Sequence, residues 1–90
     1  MAAQTSSATQ NLADICLGYL AEDPGQLAQF MTASGYSPDA LRAAVGSDQL
    51  RAGLIDYFAQ NEPLMLALCA NNGMKPEQFM RVWAALNPAG

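Results

Sequence analysis

Ninety residues carry eight acids against four cations, for a net charge of −4, and 51% of them are apolar while only 13% are charged. The length suits one domain rather than two, and the balance is the reverse of a disordered chain's. Duplex binding needs Lys and Arg gathered on one face; Arg42, Arg51, Lys75 and Arg81, scattered among the acids, exclude it and disfavour an anionic membrane surface.

Residues 1–8 lack a cationic start and an apolar run, so they read as a disordered tail rather than a secretory signal. Leu12, Ile15, Cys16, Tyr19 and Leu20 then fall at i, i+3, i+4, i+7 and i+8, a helical stripe that Thr9 is placed to cap. Asp23 caps a second helix with Pro24 in its first position, where the missing N–H costs nothing. Leu27, Phe30 and Met31 form its apolar face, and Gly35 suits the left-handed residue that ends it. Ser37 and Pro38 open a third helix that carries Leu41 and Val45 and closes at Gly46. Ser47 caps a fourth with Leu50, Leu54, Tyr57 and Phe58; Asn61 caps a fifth through Met65, Leu68 and Cys69 to Gly73. Pro76 opens a sixth, with Phe79, Val82, Trp83 and Leu86 on one face.

No run alternates in Val, Ile and Thr, so no strand is expected. The fold class is all-α: a compact bundle of six short helices near 9–22, 24–34, 38–46, 48–60, 62–72 and 76–86, one domain over 9–86 with 87–90 frayed. An offset of 38 residues carries Leu12 onto Leu50, Tyr19 onto Tyr57, Asp23 onto Asn61, Gly35 onto Gly73 and Pro38 onto Pro76. Residues 9–46 and 47–84 therefore read as two tandem three-helix units, by duplication or by shared helical punctuation.

The fifth helix differs from its counterpart. Gln26, Ala28 and Gln29 give way to Leu64, Leu66 and Ala67, and no charged or amide side chain stands between Pro63 and Ala70. Such a helix is buried on several sides or presents a binding face; the former reading makes it the least exposed helix of the domain. On the latter, Leu64 and Leu66 are the candidate partner-binding residues. Met80 joins them as an adaptable contact, and Trp83 joins as an anchor unless it closes the core opposite Phe79.

Catalytic chemistry finds little to use. Histidine is absent, which removes the commonest general base and metal ligand and with them Ser-His and Cys-His pairs. Two distant cysteines cannot complete a zinc site, and no phosphate-cradling or dinucleotide-binding glycine motif occurs. Asp39, Asp48, Glu62 and Glu77 lie in first turns, where they complement helix dipoles, and Asp23 is a cap; Asp14, Glu22 and Asp56 form no evident pair. The chain is therefore expected not to be an enzyme and to need no cofactor or metal. Cys16 and Cys69 lie on apolar stripes without CxxC spacing, which suits reduced, buried thiols in a cytoplasmic protein.

The segment Tyr19-Leu-Ala-Glu-Asp-Pro24, followed by Gly35, Pro38 and the pair Leu41-Arg42, resembles a family of small, mainly alphaproteobacterial proteins of unknown function. Glu62-Pro63 resembles that family's second junction, and the likeness covers Leu12 to Leu86. These motifs are turns and caps, so the resemblance implies a bacterial helical domain and transfers no catalytic or binding residue. Met31 to Phe58 is more weakly similar to a ubiquitin-associated module, but Ser34-Gly35-Tyr36 stands where such modules carry Met-Gly-Phe.

The expected function is a non-enzymatic protein–protein interaction module, acting on a protein partner or by self-association. The alternative is a binder of a small apolar ligand inside the bundle. An enclosed apolar cavity favours the ligand, and an exposed apolar patch favours the partner.

Overall fold

Six helices make up the computed structural model, which describes residues 7–87. They are α1 (Ser7–Ala21), α2 (Pro24–Ser34), α3 (Pro38–Ala44), α4 (Asp48–Ala59), α5 (Glu62–Asn71) and α6 (Pro76–Leu86), with no strand among the described residues. The caps act where the sequence places them. Asp23 Oδ1 accepts from the N–H groups of Gly25 and Gln26, Ser37 Oγ from Ala40, Ser47 Oγ from Leu50, and Asn61 Oδ1 from Leu64. Each satisfies a donor that the first helical turn leaves without a carbonyl. Gly35 and Gly73 close their helices at φ 84° and 63°, backbone that a side chain would strain.

The core consists mainly of Leu12, Cys16 and Leu20 from α1, Phe30 from α2, Leu50, Leu54, Ile55 and Phe58 from α4, Leu64, Met65, Leu68 and Cys69 from α5, and Phe79 from α6. The radius of gyration, 12.5 Å, is near the value of about 12 Å for a compact chain of this length. The hub is α4, which packs against α1, α5 and α6. Of its polar residues, Arg51 pairs with Asp48 at 3.3 Å through its terminal nitrogen while its Nε is buried without a partner, and Asp56 accepts from Trp83.

Three expectations need correction: the Thr9 cap, the packing of Val45 and the burial of α5. Thr9 is no cap: it lies inside α1 and is buried, because it stands one turn ahead of Leu12 and Ala13 on the core-facing side. The tail expected over 1–8 falls outside the described residues as far as Ser6, while Ser7 and Ala8 are already helical. Val45 does not pack inside; the chain leaves α3 after Ala44, and Val45, at φ −56° and ψ 128°, is 55% exposed. The least exposed helix is α4, not α5, because α5 turns one of its two apolar faces outward. Of the frayed end expected over 87–90, only Asn87 is described, and its amide donates to the Trp83 carbonyl at 2.8 Å.

The 38-residue offset carries the starts of α2 and α3 onto those of α5 and α6 and the Asp23 cap onto Asn61. Ser47, however, caps where Thr9 does not, and Ser37 caps where Lys75 does not. Burial follows the offset, since Leu12 and Leu50, Leu20 and Phe58, Phe30 and Leu68, Leu41 and Phe79 are all buried. The packing departs from it at the third helix of each half. α6 packs on α4, α5 and α1, whereas α3 makes no extensive contact with another helix. With α3 peripheral, the stretch Met31 to Phe58 does not close into a three-helix module.

Candidate functional site

A helix without an amphipathic stripe can still have two distinct faces, and α5 does. Leu64, Met65, Leu68 and Cys69 point into the core, while Pro63, Leu66, Ala67 and Ala70 are exposed. The outward set falls at i, i+3, i+4 and i+7, a continuous helical stripe without a charge. Leu66 is 42% exposed and stands at its centre. Leu64 does not join it: only 7% exposed, it is a core residue and presents nothing to a partner.

The remaining two residues singled out from the sequence sit on α6, both half-buried against the core. Trp83 Nε1–H donates to Asp56 Oδ1 at 3.0 Å, joining α6 to α4 across 27 residues of chain. An indole that satisfies its N–H on a neighbouring helix works as a fastener between helices. Met80 packs beside the core without a polar contact of its own. The structure thus separates the four: Leu66 lies open, Leu64 is inside, and Met80 and Trp83 lie between.

The thiols are buried and unpaired. Desolvation, with Cys69 nearby, pushes the Cys16 pKa well above the ordinary thiol range; burial also raises that of Cys69, whose thiol reaches Met65 Sδ at 3.7 Å. Neutral thiols of this kind are poor nucleophiles. Among the described residues, no three acidic, cysteine or histidine side chains gather as metal ligands, and no helix is long and apolar enough to cross a membrane.

Sequence reasoning missed a trough between α2 and α4. Phe30, Ala33 and Ser34 form one side and Gly53, Asp56, Tyr57 and Gln60 the other, enclosing about 280 Å³. It continues past Ser34 and Gly53 toward Tyr36, Ala44 and Gln49. Its floor is formed by Tyr36 and Tyr57, which pack on the fully buried Phe30: that ring lies 5.1 Å from Tyr57, edge to face, and 6.3 Å from Tyr36, nearly parallel. Gly53 was the available signal. A glycine inside a helix lowers stability, and a Cβ at Gly53 would meet no atom within 4 Å, so internal packing does not require it. A more apolar cleft lies elsewhere, between α1 and α6, where Leu12, Ile15, Met74 and Val82 line about 180 Å³ open at the surface.

A family described as "Protein of unknown function (DUF3572)" matches residues 6–89. No curated protein and no solved structure matches the chain.

Proposed function

We propose that this chain, which belongs to the DUF3572 family of proteins of unknown function, is a non-enzymatic protein–protein interaction module that docks through the outer face of α5. The observation that carries the reading is the exposed stripe Pro63, Leu66, Ala67 and Ala70, free of charge along its length. Burying a Leu side chain is worth about 1.5–3 kcal/mol, so an exposed Leu66 flanked by apolar neighbours favours covering. Ala67 and Ala70, which follow it on the stripe, would let a partner helix approach to the lower end of the usual separation of about 8–10 Å.

A small apolar ligand is the weaker reading. Ligand pockets enclose about 300–1,000 Å³, whereas the α1–α6 cleft holds about 180 Å³ and is open. Two buried thiols without a disulfide, with the absence of histidine, support a non-catalytic domain of a reducing cytoplasm. The junction and turn motifs support an alphaproteobacterial host.

The test compares the purified protein with Leu66→Asp, first by sedimentation for self-association and then by affinity capture from host extract. The reading expects the variant to keep its helical circular dichroism and lose either the oligomer or the captured partner. Unchanged association in both assays would refute it.

A further inference from the structure

The trough between α2 and α4 has no part in the α5 reading, and each stands without the other. Its floor is the half-buried rings of Tyr36 and Tyr57, both packed on the fully buried Phe30, which lies 5.1 Å from Tyr57. A shallow aromatic floor suits an extended chain laid along it better than a helix about 10 Å across. Tyr36 and Tyr57 are half-buried, and their hydroxyls have no hydrogen-bond partner among the described residues. A tyrosine hydroxyl can donate to a carbonyl, and a polyproline helix is the backbone whose carbonyls have no internal partner.

Gly53 leaves open space on the α4 side, where any larger side chain would fill the trough. From Gln49 to Gln60 the α4 wall runs about 16 Å at the helical rise, enough for about five residues of polyproline helix. Asp56, at one end, is the acidic side chain of the lining, and one of its oxygens already accepts from Trp83. The nearest α4 cation, Arg51, is held by Asp48, and the whole chain carries −4. We propose that this trough binds an extended, proline-rich segment of a partner protein with a cationic residue beside Asp56. Flat pyrrolidine rings would lie on the tyrosine faces, as in other aromatic-lined sites for such segments.

The experiment is an NMR titration of the full chain with end-blocked Pro-Pro-Leu-Pro-Pro-Arg and with the reversed sequence. Controls replace every Pro by Ala, or Arg by Glu. At least one proline-rich orientation is expected to shift resonances confined to residues 30–36 and 49–60, with the alanine peptide about tenfold weaker. Gly53→Leu, whose added Cβ meets nothing in the fold, should keep the spectrum folded and weaken binding about tenfold or more. Asp56→Asn, which keeps the acceptor for Trp83, should erase the preference for Arg over Glu. Leu66→Asp should change nothing here, which separates this site from the α5 face. No shifts at about 1 mM of either orientation, shifts centred elsewhere, or full affinity in Gly53→Leu would overturn the proposal.

Discussion

Leu66 and Leu68, two positions apart on one helix, give the sharpest stability contrast in the molecule. Leu68 is fully buried, while Leu66 is 42% exposed. Leu68→Ala removes buried methyl groups and leaves a cavity that the helices around α5 cannot fully close, which costs about 2.7–5 kcal/mol. At Leu66 the removed atoms are already partly in water and solvent fills the space, so Leu66→Ala costs about 1 kcal/mol or less. For a domain of this size, 3 kcal/mol corresponds to about 12–24 °C in melting temperature and 1 kcal/mol to about 4–8 °C. Urea denaturation followed by circular dichroism, with the slope held common to all variants, measures both. Equal losses at the two positions, or the larger loss at Leu66, would refute the assignment of the two faces of α5.

Gly53→Ala should stabilise the protein by about 0.5–1 kcal/mol, because Gly53 stands inside α4 and an added Cβ meets no atom; thermal melts read the gain. Trp83→Phe removes the donor to Asp56 and leaves a half-buried carboxylate oxygen unsatisfied, a loss of about 1.5–3 kcal/mol in urea denaturation. Cys16 makes stability fall at alkaline pH. Its folded pKa is raised, so the unfolded chain gives up the proton first as pH passes 9.0. Above that value the folded state loses about 1.4 kcal/mol per pH unit from Cys16, with buried Cys69 adding a loss of the same sign. Cys16→Ala should therefore lessen but not abolish the slope measured by denaturation at stepped pH.

Much of this fold is written in local punctuation. Asp23, Ser37, Ser47 and Asn61 announce their helices because a capping oxygen must stand at a fixed offset from the N–H it accepts, a rule that tertiary packing does not alter. Thr9 is the exception: a threonine's methyl also suits a buried face, and the core claims it. Which helix lies at the centre was harder to read. α5 looks central by composition, but a helix apolar all round carries no information about which face turns inward. α4 is the hub although it carries Asp48, Arg51 and Asp56; Arg51 has a local partner in Asp48, but the partner of Asp56, Trp83, lies 27 residues away and is not legible in the local pattern. The same limit hid the α2–α4 trough, whose two walls are separated in sequence by α3, although Gly53 marked its position.

The central claim is that the outer face of α5 meets another protein, and photo-crosslinking in the host tests it most directly. A benzophenone side chain would replace Leu66 in one variant and Asp39, on exposed α3, in another. The account predicts a discrete adduct from position 66 that excess unmodified domain competes away, and no such adduct from position 39. Adducts of equal yield from both positions, or none from position 66, would contradict it.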